Sequence, residues 1–165
     1  FRYDGLLWPR IDGAGEFPRE VQLPLDVVIN LDNWDGERND AVKTEIVRLK
    51  DLKTRDERVF SCGAGLRSFH VDSEGRMSIC MMARRPSYNL LEMPLMEAWD
   101  RLESLRKMKR SEISKCQSCT SNVLCGHCPG WSLAVAGDYE SVVEFVCDHG
   151  KLRTENGIGY KVVNN

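Results

Sequence analysis

Seven cysteines occupy residues 62–147 of a 165-residue chain, and residues 1–61 hold none. They are Cys62, Cys80, Cys116, Cys119, Cys125, Cys128 and Cys147, spaced C-x12-G-x4-C, a gap, C-x2-C-x5-C-x2-C, a second gap, then C. An odd count cannot be consumed by internal disulfides, so oxidised staples are not what organises this chain. A C-x2-C step in a tight turn aims two thiolates at one inorganic centre, and the surrounding backbone offers N–H groups to the sulfurs. Buried apolar thiols are the competing explanation. The central run, however, lies among Gln117, Ser118, Thr120, Ser121 and Asn122, which is the composition of a loop.

Four thiolates suit zinc and an iron–sulfur cluster almost equally well, so ligand type alone does not decide between them. Seven thiolates divide into one complete site of four and one site of three. An incomplete shell is ordinary at a reactive iron–sulfur cluster and unusual for structural zinc, which tilts the reading to iron.

Composition removes several other functions. Length suits one domain or two small ones, and 42% hydrophobic with 29% charged residues describes a globular chain. No apolar run approaches the roughly 20 residues that cross a bilayer. Lys and Arg number 23 against 25 Asp and Glu, a formal charge of −2, which leaves no basic excess to grip a polyanion. Neither nucleic acid nor a membrane is an expected partner. The start at Phe1, without a signal-like segment, reads as a cut in a longer protein, and a reducing cytoplasm is the expected compartment.

The elements expected around the cysteines are short. Phe1–Trp8 alternates weakly and ends at Pro9, which predicts one strand followed by a turn at Asp12–Gly15. Asp32–Gly36 reads as a cap and turn opening a helix that runs to about Asp51, with Val42, Ile46 and Leu49 on its packing face. Ser68–Val71 and Arg76–Ile79 alternate around Asp72–Gly75, a hairpin with Gly75 where the loop needs a positive φ, and it returns Cys80 toward Cys62. Pro94 opens a helix whose Leu95, Trp99, Leu102 and Leu105 line one face.

Cys62-Gly63-Ala64-Gly65, Ser68-Phe69-His70-Val71-Asp72, Gly75, Cys80, Pro86-Ser87-Tyr88, the four-cysteine run and Cys128-Pro129-Gly130-Trp131 together carry a family likeness. The chain over about residues 60–150 resembles the C-terminal SPASM domain of radical S-adenosylmethionine enzymes, whose members mature peptides and sulfatases. Tyr3-Asp4-Gly5 through Asp12-Gly13 looks like the exit of such an enzyme's barrel. The resemblance implies an α+β fold: a small cysteine-rich domain with a β-hairpin and short helices around two cluster sites, preceded by a strand and helix left over from the barrel. It divides the chain into a barrel end at 1–25, a linker helix at 26–59, the cluster domain at 60–150 and a tail at 151–165.

The same resemblance implies two four-iron four-sulfur clusters. Cys62, Cys80 and Cys128 are carried onto the first, and Cys116, Cys119, Cys125 and Cys147 onto the second. Relatives with a fourth cysteine on the first cluster supply it from the hairpin region, where this chain has Ser68 and His70, so an open iron is expected. His70 is first an ordinary hairpin side chain, His127 a donor to sulfur or a surface residue, and His149 a solvent-facing one. Arg67, Arg76, Arg84, Arg85 and Lys115 are candidates to offset cluster charge, each weighed against a simply solvated role.

The C-x3-C-x2-C loop that binds the cluster cleaving S-adenosylmethionine is absent, so that cofactor and a third cluster are expected only on a barrel elsewhere in the parent chain. The implied partners are that barrel, a peptide or protein substrate and a redox protein. The implied role is electron relay and substrate platform. Its alternatives are a zinc-stabilised interaction module, with zinc also able to enter in an aerobic preparation, and a free-standing small electron carrier.

Overall fold

The computed structural model describes residues 5–11, 17–34, 36–37, 39–41, 44, 57–122 and 124–155. The chain divides into two compact units, one of residues 1–55, 118–127 and 142–165 and the other of 56–117 and 128–141.

In the first unit, the short helix α1 (Phe17–Glu20) precedes α2 (Leu25–Trp34). Leu25, Val28, Ile29 and Asp32 recur at helical spacing, and Val28, Ile29 and Asp32 are buried. This stripe packs on the C-terminal helix of the unit, residues Glu144–Glu155, which contributes buried Val146, His149 and Gly150. Asp32 is the polar member of the stripe, and Arg153 compensates it: the Arg153 Nε lies 3.6 Å from Asp32 Oδ2. The Arg153 Nη1 also donates to the Leu124 carbonyl at 3.2 Å, which ties the cysteine loop to the same helix.

Three expectations change here. Asp32 does not cap the next helix but lies inside α2, where Arg153 meets its carboxylate; of the expected helix to Asp51, residues 36–37, 39–41 and 44 are helical and the rest fall outside the described residues. The expected N-terminal strand is irregular over 5–10, the rest lying outside the described residues. The Gln22 side chain takes the backbone groups a strand would offer its neighbour, accepting from Leu7 N–H at 2.7 Å and donating to the Gly5 carbonyl at 2.8 Å. His149 is 4% exposed rather than solvent-facing, because its helix turns it toward the interior.

The second unit is built on a three-stranded antiparallel sheet, β1 (His70–Val71), β2 (Arg76–Ser78) and β3 (Tyr88–Asn89), in that order. The registers His70↔Ser78 and Met77↔Tyr88 place β2 in the middle. The hairpin stands as read, with Gly75 at φ +79°. Asp72 staples its turn, accepting from the Glu74 and Arg76 N–H groups at 2.9 Å each and from Arg76 Nε at 3.0 Å. The third strand has no pattern of its own in the sequence, since two residues are too few to alternate.

Met77 of β2 packs on Ala98 and Leu102, while Ile79 joins Val59, Phe60, Ala64, Ala83 and Leu105 in a second cluster. The helix after Pro94 breaks at Leu102 into α3 (Leu95–Arg101) and α4 (Glu103–Arg106). Its buried face is Ala98, Leu102 and Leu105, with Trp99 half-buried, whereas Leu95 is 44% exposed because the stripe rotates past it. Helix α5 (Pro129–Ala136) completes this unit, and the C-terminal helix of the first unit, Glu144–Glu155, is α6.

Candidate iron–sulfur site

Cys62, Cys80 and Cys128 come from three separate segments of the second unit. Cys62 stands at the head of a tight turn that needs two glycines: Gly63 and Gly65 have φ +91° and +72°, and the Gly63 carbonyl accepts from Leu66 and Arg67 N–H at 3.0 Å. At Gly65 the turn lies so close to β2 that an added Cβ would stand 2.6 Å from both Ile79 Cγ1 and Arg106 Cγ. Residues 57–59 anchor this segment, because Val59 N–H donates to the Met108 carbonyl at 2.9 Å and Arg110 N–H to that of Glu57 at 2.8 Å.

Cys80 leaves β2 two residues beyond its end and accepts from the Met82 N–H at 3.4 Å. Cys128 is the residue before α5, and that helix approaches the Cys80 segment at Gly130, where a Cβ would meet Met82 Cβ at 2.7 Å and its carbonyl oxygen at 2.9 Å. Burial pushes the Cys128 thiol up, and negative charge at Cys80 and Cys62 pushes it further; the Gly130 and Trp131 N–H groups pull the other way, although no capping bond to the sulfur is closed. The three sulfurs therefore share one electrostatic environment.

Tyr139 covers the Cys80 side of this group. Its ring stands edge-on to Phe60 at 5.2 Å, and its hydroxyl donates to the Arg85 carbonyl. Burial pushes the phenol up to about 12, and charge at Cys80 adds to that push. Asp138 fixes the loop that carries Tyr139, accepting from Glu140 N–H at 2.8 Å and Ser141 N–H at 2.6 Å.

Cys116 is buried in the turns that end the same unit. The other three cysteines lie in the first unit. Cys125 is buried, and its sulfur accepts from the His127 N–H at 3.4 Å. It is pressed against Gly150 of α6, where a Cβ would come 2.3 Å from Cys125 Cβ and 2.8 Å from its Cα. Cys147 stands one helical turn before Gly150, so α6 presents it on the side that meets Cys125. Cys119 is half-buried in a turn closed by Asn122 N–H on its carbonyl at 3.4 Å. No cysteine is in a disulfide.

Among the described residues, no three His, Cys, Asp or Glu side chains converge as a single metal ion requires. One zinc ion holds its thiolates about 2.3 Å from a common point. A four-iron cluster instead binds each cysteine at a different iron.

Residues 62–120 match the SPASM family model, an iron-sulfur cluster-binding domain. The matched stretch holds Cys62, Cys80, Cys116 and Cys119, and Cys125, Cys128 and Cys147 lie beyond it. It supports iron–sulfur binding as the chemistry of the SPASM segment. No curated protein and no solved structure matches the chain. No helix among the described residues is long and apolar enough to cross a membrane.

Several contributors to the site were not singled out in the sequence. Gly150 and Tyr139 carry no local motif, since each acts by close approach to a cysteine distant in the chain. Gly130 was legible only as part of Cys-Pro-Gly-Trp. Lys151, exposed on α6 and paired with Asp148 at 2.9 Å, feels charge at Cys147 one turn away, a basic neighbour that i, i+4 spacing would have found. Of the expected charge-balancing side chains, Arg76 is occupied by Asp72 and Glu74, and Arg84 donates to the Met81 carbonyl. His70 is half-buried on β1, and its Nε2 makes no hydrogen bond among the described residues.

Proposed function

We propose that this chain is the auxiliary-cluster domain of a radical S-adenosylmethionine enzyme, passing electrons and holding a peptide or protein substrate while the radical step occurs on a barrel. The observation that carries the reading is the packing of α5, which follows Cys128, on the backbone just after Cys80, with Cys128 within electrostatic reach of Cys80 and Cys62. That set leaves one position of a four-iron cluster without a cysteine. The resemblance assigns Cys116, Cys119, Cys125 and Cys147 to a second cluster, and the Cys125–Gly150 contact on α6 supports the Cys125–Cys147 part of it.

When bound, such clusters supply reversible one-electron storage at a potential tuned by charge, N–H···S bonds and solvent exposure. The protein's share is to set those terms. The Met82 and His127 N–H groups bond the sulfurs of Cys80 and Cys125, and N–H···S bonds are one of those terms. Cys80 and Tyr139 pack against the Phe60 cluster, which leaves Cys80 half-buried, whereas Cys62 is exposed. The zinc-module reading uses the same seven thiolates, and metal analysis separates the two.

Reconstitution of the full chain without oxygen, followed by iron, sulfide and visible absorbance, tests the proposal on two variants. Cys128→Ala is expected to lose the three-cysteine site and keep the other, and Cys119→Ala to do the reverse. Equal loss of both sites in Cys119→Ala, or a Cys128→Ala protein that empties the site of Cys116, Cys119 and Cys125, would overturn the assignment.

A further inference from the structure

The turn that begins at Cys62 continues into an apolar cleft that electron transfer does not require. Leu66 and Phe69 form one wall, and Leu95, Met96 and Trp99 of α3 form the other. Leu66, Phe69 and Met96 are 48%, 46% and 65% exposed. Phe69 stands edge-on to Trp99 with centroids 6.1 Å apart, and the Arg106 guanidinium lies 4.2 Å over the indole, so the aromatic wall is held in place before anything binds.

Size and charge narrow what fits. The cavity is about 220 Å³, below the roughly 300–1,000 Å³ of pockets that enclose whole small ligands, and suits one large side chain. Arg67 is the one charged residue among those lining it. Arg67 is exposed and takes part in none of the ion pairs among the described residues, whereas Glu97 on α3 is already held by Arg101 at 2.6 Å. Phe69 leads directly into β1, an edge strand of the sheet.

We propose that this cleft receives an extended peptide segment, with one large apolar side chain seated between Phe69 and Met96 and an adjacent carboxylate on Arg67. The inference deepens the peptide-holding reading and rests on it for the peptide's purpose, while the cleft itself is made of protein side chains alone.

The test uses the full chain reconstituted without oxygen and three fluorescein-labelled hexapeptides in a Gly/Ser background, with central leucine–glutamate, leucine–lysine or alanine–glutamate. Anisotropy reads binding, and visible absorbance on the same samples reads cluster loading. Leucine–glutamate should bind at least about tenfold more tightly than either other peptide, a gap of one well-placed anchor. Arg67→Glu should reverse the order of the leucine–glutamate and leucine–lysine peptides. Met96→Glu, altered at an exposed wall position, should weaken leucine–glutamate about tenfold with its absorbance unchanged. Absorbance present with no preference among the peptides, or none binding, overturns the cleft and leaves the cluster reading standing. The charge reversal seen in protein that takes up no iron supports the cleft and removes the cluster reading.

Discussion

At the scale of single residues, the site depends on glycines that permit contact. Gly130 lets α5 touch the backbone after Cys80, and Gly150 lets α6 touch Cys125. At Gly150 the obstacle to a Cβ includes the Cys125 Cα at 2.8 Å, which a rotamer change cannot clear. Gly150→Ala should therefore destabilise the first unit by about 2 kcal/mol, as overpacking does, and lower the iron retained by the chain. Gly36→Ala, at a helical position with nothing within 4 Å, is the matched control and should leave the iron unchanged and the stability unchanged or slightly raised. Anaerobic denaturant titration with iron analysis checks this; equal behaviour of the two variants would show that α6 does not support Cys125.

At the scale of elements, the hairpin sets where Cys80 emerges, and Asp72 sets the hairpin. The Arg76 backbone N–H, with the Arg76 side chain and the Glu74 N–H, holds the Asp72 carboxyl below its usual 3.8 against an opposing push from desolvation. A carboxyl held lower in the folded state contributes stability that is present above the unfolded value and is lost as pH falls through the folded one. Hydrogen-exchange protection of the Arg76 amide should thus be higher in wild type than in Asp72→Asn above about pH 4, with the gap closing below it. A gap that persists unchanged to about pH 2 would mean that the turn does not depend on the carboxylate.

The hairpin and its glycine were legible because they are local: alternation, Asp and Gly sit within a dozen residues. The seven cysteines were legible as ligands for the same reason, being a pattern of one rare residue type. Tertiary partners were not. Asp32 looked like a helix cap because Arg153, which allows it to be buried inside α2, is far away in sequence. His149 looked exposed because polar residues surround it in the chain, and only the packing of α6 buries it. Leu95 looked like core because helical spacing identifies a face but not how far along it the covering residues extend, and the first turn of α3 is left 44% exposed at Leu95.

At the scale of the whole molecule, the cysteines are distributed over both units: Cys62, Cys80, Cys116 and Cys128 belong to one, and Cys119, Cys125 and Cys147 to the other. Each unit has a modest protein core, so metal binding energy becomes folding energy for loops that have little else to order them. Inorganic content is therefore the property on which the account turns. The most direct measurement is elemental and sulfide analysis of the full chain prepared without oxygen, together with its visible spectrum before and after reduction. The account predicts about eight iron and eight sulfide per chain, as two four-iron clusters require, with broad absorbance that bleaches on reduction. Stoichiometric zinc with negligible iron and a colourless protein would contradict it.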